Sequence, residues 1–182
     1  MTMELYRKHQ ETLQTGDCLL WRSRSVIGWL IRLFSWAKVN HAGLVVRPHE
    51  HGPFKDRRFT LEALESGIIL RLLSERLRGF DGQVYLYPLK EEFAFTREGI
   101  GDWAIKLEGT PYDYSSLFRQ IFGRVSADMK RLFCSEFCYF AWKENGIPIE
   151  EEKAPRPGDI PKLGIFKEPI LIFDSSGGDD GL

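Results

Sequence analysis

The sequence predicts an α+β fold in which an antiparallel sheet packs against helices. Between residues 18 and 89, several short apolar segments are separated by turns that contain Gly, Asp and Ser, a pattern typical of strands joined by short connections. From residue 96 onward, apolar residues recur at helical spacing instead. At 182 residues, the chain is long enough to form one domain with a hydrophobic core.

The first elements are a polar, helical lead-in over residues 1–14 and a turn at Thr15-Gly16-Asp17. The apolar run 18–21 predicts a strand. Residues 23–36 have apolar side chains at helical spacing and predict a helix. The run HAGLVV at 41–46 predicts a strand that is buried on both faces.

Three further strands are predicted at 59–64, 68–74 and 84–89. In the first of these, Thr60 and Glu62 fall on one face and the apolar residues on the other. Asp81-Gly82 indicates a hairpin before the last strand. The arginines within 71–78, like those at 57–58, are interpreted as belonging to solvated faces or loop edges.

Helices are predicted at 96–107 and 132–144, where Gly109 and Asn145-Gly146 supply the helix ends. A shorter helix is expected within 110–123, and residues 165–173 predict a late strand. Residues 1–174 are expected to form a single domain. The polar, glycine-rich segment 175–182 is expected to be a disordered tail.

Composition excludes several classes of function. The 25 basic and 26 acidic side chains give a net charge of -1, so no nucleic-acid partner is indicated. We see no secretory signal and no apolar run long enough for a membrane span, so a cytoplasmic location is expected. Three cysteines without framework spacing favour neither disulfides nor a metal site, and no cofactor is predicted.

Cys134 is a candidate nucleophile. A helix that began at Leu132 or Phe133 would place its thiol near the positive end of the helix dipole, which favours the thiolate. A start near Ser126 or Asp128 would weaken that argument. A buried cysteine in an aromatic-rich segment is also a common core residue, so local sequence alone leaves both interpretations open.

His41 and Glu62 are candidate partners for Cys134. A histidine at the entrance of a strand is held rigidly and can act as a general base, although many such residues are purely structural. A carboxylate in an apolar strand is costly to bury unless it is paired, and a histidine N–H is a suitable partner. A solvent-facing position for Glu62 remains the alternative.

These motifs together resemble the circularly permuted NlpC-type branch of the papain-like superfamily. The matching segments are Gly16-Asp17, His41-Ala42-Gly43 with its three following apolar residues, Leu61-Glu62-Ala63 and Phe133-Cys134-Ser135-Glu136. They occur in the order that the family shows, and the resemblance spans roughly residues 15–145. Cys18 departs from the pattern, because the position after Gly-Asp is normally aliphatic.

The resemblance implies a hydrolase in which Cys134 attacks an amide carbonyl, His41 moves the proton and Glu62 orients the imidazole. It also implies that Tyr112 and Asp113 belong to the substrate-binding region. The expected substrate is a peptide or peptidoglycan-like amide, cleaved through a thioacyl-enzyme without a metal or other cofactor.

Two alternatives remain open from the sequence. The apolar segment Val26–Trp36 could line an acyl-chain site, which would favour a lipid acyltransferase, thioesterase or phospholipase on the same permuted core. The interpretation of this segment as a core helix is favoured over that alternative. In the second alternative the chain is an inactive binding module, and Cys134 is only a core residue.

Overall fold

A computed structural model describes residues 2–24, 39–48, 56–64, 66–110 and 129–176. Several sequence-based predictions fall wholly or mostly outside these residues. They are the helix at 23–36, the short helix within 110–123 and most of the tail at 175–182. Ser175 and Ser176, the first two residues of that tail, are described, and both form hydrogen bonds.

The described strands form one six-stranded sheet in which every strand pair is antiparallel, as predicted. Along the sheet, the strand order is β4-β3-β2-β1-β5-β6. The strands are β1 (Cys18–Ser23), β2 (His41–Val46), β3 (Phe59–Leu64), β4 (Gly67–Leu72), β5 (Gly82–Tyr87) and β6 (Ile170–Asp174). The central strand β2 therefore lies between β1 and β3, which fixes the surroundings of His41.

Four α-helices accompany the sheet within the described ranges. They are α1 (Thr2–His9), α2 (Leu73–Arg78), α3 (Arg97–Ile105) and α4 (Met129–Lys143), and short 3-10 helices lie at Gln10–Thr12, Glu91–Thr96 and Pro157–Leu163. None of these helices is both long and apolar enough to cross a bilayer. The predicted lead-in helix and the helices near 96–107 and 132–144 are confirmed.

The sheet separates two hydrophobic clusters, as alternation along β1 shows. Cys18 and Leu20 pack with the apolar face of α4, whereas Leu19 and Trp21 pack with residues of α1 and α2. Because successive side chains in a strand point to opposite faces, these clusters lie on opposite sides of the sheet. α4 and α2 therefore belong to different layers.

The hairpin predicted at Asp81-Gly82 is wrong. The chain passes from β4 through α2 to β5, and β5 pairs with β1 and β6 rather than with β4. Gly82 has another reason to be glycine: a Cβ at this position would lie 2.1 Å from the carbonyl oxygen of Arg22. The glycine therefore permits a close approach of β5 to β1.

The basic runs are not uniformly solvated, contrary to the prediction. The Arg58 side chain is fully buried and donates from Nε to the carbonyl oxygen of Leu13 at 3.1 Å. Its Nη2 also donates to Glu11 at 3.2 Å. A buried guanidinium is tolerated because its donors are satisfied in this way, and here it ties the N-terminal segment to the sheet.

Candidate active site

Cys134 lies in α4 and is 1% exposed. The helix already includes Met129, five residues before the cysteine, so the start expected at Leu132 or Phe133 is wrong. The thiol consequently lies in the second turn or later. The effect of the helix dipole falls off within the first turn, so it does not by itself account for a stable thiolate.

The surroundings of the Cys134 sulfur favour the thiolate for other reasons. Burial, the largest single effect, raises the pKa of the thiol, whereas the charge of His41 and a hydrogen bond with its imidazole lower it. The backbone N–H groups of Ala42 and Ser135 lower this pKa further. The net result is a pKa below the ordinary value of 9.0 for cysteine.

His41 is the first residue of β2, and its side chain is 18% exposed. Its Nε2 lies 2.7 Å from Oε2 of Glu62, which leaves Nδ1 as the ring nitrogen for the thiol of Cys134. Burial lowers the pKa of His41, but the charges of Cys134 and Glu62 and their hydrogen bonds raise it to about 10. The imidazole is thus poised to be protonated beside a thiolate.

Glu62 lies on β3, and its side chain is completely buried. The solvent-facing alternative is therefore wrong. Burial raises the pKa of this carboxyl, but His41 and Arg76 together lower it below its usual 4.5. A buried carboxylate is stable here because cationic donors contact both of its oxygens.

Gly43 makes room for Glu62. Leu44 pairs with Leu61 and Val45 with Thr60, so the same antiparallel register places Gly43 opposite Glu62. A Cβ on Gly43 would lie 3.0 Å from Cγ of Glu62 and 2.9 Å from Oγ1 of Thr60. The glycine of the His41-Ala42-Gly43 motif therefore allows the carboxylate to reach the imidazole.

Arg76 completes this group of charges, although no sequence motif singled it out. It lies on α2, its side chain is 19% exposed, and its Nε donates to Oε1 of Glu62 at 3.1 Å. Its expected place on a solvated face is therefore wrong. Helix α2 differs from the prediction, in which its first two residues, Leu73 and Ser74, end a strand.

The Gly16-Asp17 turn anchors the layers rather than contributing to the reactive group. The Asp17 carboxylate accepts hydrogen bonds from the backbone N–H groups of Gln14 and Leu89 and from Arg97. The indole of Trp142 on α4 donates to the carbonyl oxygen of Gly16 at 2.9 Å. This motif thus connects α4 to the start of β1.

Tyr112 and Asp113 lie outside the described residues, so their predicted place near the substrate stays a prediction. The other two cysteines, Cys18 and Cys138, are fully buried and contact each other. Burial raises the pKa of Cys138 well above its ordinary value. In the described part of the chain, no group of three or more His, Cys, Asp or Glu side chains is arranged to hold a metal ion.

Fold and sequence together define a circularly permuted papain-like protein. Residues 12–162 match the family described as permuted papain-like amidase enzyme, YaeF/YiiX, C92 family. The chain belongs to this family, which confirms the permuted papain-like fold that the motifs predicted. The family is one of amidases, so membership supports hydrolase activity.

A solved structure has the same fold. The protein yiiX from Escherichia coli O157:H7, described as a metalloprotein, is similar over 93% of each chain with a TM-score of 0.55 and 20% sequence identity. At that identity the likeness concerns the fold alone. A comparison with curated proteins found no match.

Proposed function

We propose that this chain is a cysteine-dependent amidase in which Cys134 is the nucleophile, His41 the general base and acid, and Glu62 the residue that orients the imidazole. One observation carries the proposal. Three side chains from α4, β2 and β3 form a continuous series of contacts, from the thiol through the imidazole to the carboxylate. A nucleophile, a base in reach and a group that orients the base are the parts that thiol catalysis requires.

The reaction begins with the ion pair of thiolate and imidazolium. The Cys134 thiolate adds to the amide carbonyl carbon, and the carbonyl electron pair moves to oxygen. When the tetrahedral intermediate collapses, the C–N bond breaks and the leaving amine takes the proton from Nδ1 of His41. A thioester on Cys134 and a free amine remain.

Hydrolysis of the thioester restores the enzyme. Neutral His41 removes a proton from water, whose oxygen attacks the thioester carbonyl. The C–S bond then breaks, so that a carboxylic acid leaves and Cys134 again forms an ion pair with protonated His41. The acceptor position of Glu62 holds the Nε2–H tautomer throughout, which keeps Nδ1 directed at the reacting atoms.

We infer that the substrate is an amide in a peptide or peptidoglycan-like molecule. Membership in an amidase family supports amide chemistry, and the contact series supplies the side chains that amide cleavage needs. The segment Val26–Trp36, on which the lipid alternative depends, lies outside the described residues. No observation in the described part of the chain favours an acyl-chain site.

Alkylation by iodoacetamide at pH 6, with the modified residue identified by mass spectrometry, tests the nucleophile. We expect Cys134 to react faster than a free thiol and Cys138 to remain unmodified. Cys134→Ser should abolish the fast phase, His41→Ala should slow it, and Cys138→Ser, the matched control, should leave it unchanged. Labelling no faster than that of a free thiol would refute the assignment.

Turnover tests the bond that is cleaved. The protein is incubated separately with a peptidyl amide and with a long-chain acyl thioester, and each product is quantified for the natural chain and for Cys134→Ser. Cys134-dependent amide cleavage is the expected result. Turnover of the thioester alone would favour the lipid alternative. If neither substrate is turned over and Cys134 is also not alkylated quickly, the binding-module alternative would be favoured.

A further inference from the structure

We propose that Arg76 is a positioning residue for this site: it fixes the carboxylate of Glu62 and keeps it ionised while His41 gains and loses its proton. The inference rests on the proposed function, because it assigns Arg76 a part in the chemistry of Cys134. Arg76 lies outside the four matching motifs, and it acts through Glu62 rather than on the reacting atoms.

Arg76 pairs with both oxygens of the Glu62 carboxylate. Arg76 Nε lies 3.1 Å from Oε1 and 3.4 Å from Oε2 of Glu62, and Nη2 lies 3.3 Å from Oε2. Two donors of the planar guanidinium thus span both carboxylate oxygens. Such a fork fixes the orientation of the carboxylate as well as its charge.

Arg76 is itself held in place by two aromatic rings. Its guanidinium carbon lies 4.4 Å from the centroid of the Trp21 ring and 5.4 Å from that of Phe80. The two rings meet edge to face at 4.9 Å. Trp21 is also the cross-strand partner of His41, so the nearer of the two rings that support Arg76 belongs to the strand pair that places the imidazole.

Glu62 faces charged side chains from two neighbouring elements and an apolar one from a third. His41 approaches it from β2 and Arg76 from α2, while its partner on β4 is the apolar Ile69. Cys134 from α4 faces the far side of the imidazole. When His41 gives its proton to a leaving group, Arg76 is therefore the cation that remains beside this buried carboxylate among the residues that the structure describes.

An arginine retains its charge throughout turnover, whereas histidine does not. Without Arg76, Glu62 would take up a proton more readily as the pH falls. Burial raises the pKa of this carboxyl, and the positive charge of Arg76 would no longer counteract that effect. A protonated Glu62 no longer stabilises the imidazolium, and the thiolate loses its partner. Loss of Arg76 should therefore impair the thiolate most strongly on the acid side.

The experiment measures the rate of Cys134 alkylation by iodoacetamide from pH 4 to pH 9. Arg76→Met removes the charge and keeps an apolar side chain over Trp21, and Arg76→Lys keeps the charge without the fork. Arg78→Met is the matched control, since Arg78 lies on the same helix, is exposed and pairs with Glu75. Thermal unfolding checks that each variant is folded.

We expect Cys134 of Arg76→Met to be alkylated about tenfold more slowly than that of the natural chain at pH 6. The acid limb of its rate–pH profile should move up by about one pH unit, because an opposite charge at this range shifts a carboxyl pKa by about 1–3 units. Arg76→Lys should keep the acid limb near its original position, and Arg78→Met should match the natural chain. An Arg76→Met profile that is lowered equally at every pH would mean a merely structural role and would overturn the inference.

A double variant keeps the test decisive if Arg76→Met folds poorly. In Glu62→Gln the proposed target of Arg76 is already neutral, so Glu62→Gln/Arg76→Met should alkylate no more slowly than Glu62→Gln alone. If the double variant instead alkylates more slowly than Glu62→Gln, so that the two rate losses are additive, the inference would be refuted. If the natural chain shows no fast labelling of Cys134, the proposed function itself fails. If the natural chain labels quickly and Arg76→Met labels equally quickly, only the inference about Arg76 fails.

Discussion

His41 and Glu62 lie 21 residues apart in the chain, and Nε2 of the imidazole is 2.7 Å from Oε2 of the carboxylate. This contact connects the two layers of the molecule. On one side the imidazole contacts Cys134 of α4, and on the other the carboxylate contacts Arg76 of α2. With the thiolate formed, negative and positive groups alternate along the series, so each ionised group stabilises the next.

Replacing Gly43 with alanine should disturb the contact between Glu62 and His41. The added Cβ would lie 3.0 Å from Cγ of Glu62 and 2.9 Å from Oγ1 of Thr60, so the carboxylate side chain must shift. We expect a loss of about 1–3 kcal/mol in the free energy of unfolding, as for other overpacked sites. Slower alkylation of Cys134 at pH 6 should accompany it.

Gly79→Ala is the matched control for that substitution. A Cβ at Gly79 meets nothing within 4 Å, and the backbone φ of -90° is accessible to alanine. Denaturant unfolding should give a free energy within about 0.5 kcal/mol of the natural chain, with unchanged alkylation. Equal effects of the two substitutions would show that the space beside Glu62 is not the cause.

The pH dependence of amide cleavage should report the ion pair. In the proposed mechanism protonated His41 supplies a proton to the leaving amine, and the pKa of His41 is raised to about 10. We expect kcat/KM to fall on the alkaline side with an apparent pKa near 10, while alkylation of the thiolate persists there. The acid limb should lie below the ordinary cysteine value of 9.0.

An alkaline limb near pH 7 would contradict this expectation, because an unperturbed imidazole would then be titrating. Glu62→Gln provides the comparison. It removes one of the charges that raise the pKa of His41, so its alkaline limb should move to lower pH. A limb that does not move would show that Glu62 leaves the imidazole unaffected.

Much of this arrangement could be predicted because it depends on local patterns. Alternation along 59–64 placed Glu62 on a face distinct from that of Leu61, and the structure confirms the strand that this pattern implied. The run at 41–46 likewise predicted β2 with His41 at its entrance. Cross-strand register then places Glu62 opposite Gly43, two residues from His41 on the same face of β2.

The parts that sequence did not predict depend on long-range packing. Residues 73–78 form only six residues of helix, too short for a clear periodic signal beside the preceding strand. The burial of Arg76 follows from its contacts with Glu62 and Trp21, which lie distant in sequence. The sequence also left two starts for α4 open, because the apolar pattern marks where the helix packs rather than where it begins, and only the earlier start is compatible with a helix that includes Met129.

The Gly16-Asp17 turn should matter for stability rather than for thiol chemistry. Asp17→Asn leaves a weaker acceptor for Arg97 and replaces an acceptor oxygen with an NH2 group in a fully buried site. Removing one charge of a buried ion pair costs about 3–5 kcal/mol, which thermal and denaturant unfolding would detect. The exposed Asp102→Asn on α3 is the control, with an expected change below about 0.5 kcal/mol.

Where folded Asp17→Asn can be isolated, its rate of Cys134 alkylation should equal that of the natural chain, because Asp17 contacts none of the three proposed reactive side chains in the described residues. A selective loss of thiol reactivity with full stability would contradict the anchoring role.

Glu62 should also contribute to stability in a way that depends on pH. Its pKa is lower in the folded chain than the ordinary 4.5, so the folded state binds its proton less readily than the unfolded state. The sign follows from this difference: the contribution is present above about pH 4.5 and is lost as the pH falls through the lowered folded value.

Glu62→Gln isolates this contribution. At pH 7 we expect it to lower the free energy of unfolding by about 3 kcal/mol, since it leaves the Arg76 cation without its carboxylate. Below pH 4.5 the difference from the natural chain should shrink. Glu75→Gln, on the same helix as Arg76 but exposed and paired with Arg78, should change stability by less than about 1 kcal/mol at either pH. A constant difference between Glu62→Gln and the natural chain at all pH values would mean that the carboxylate charge is not what stabilises the fold.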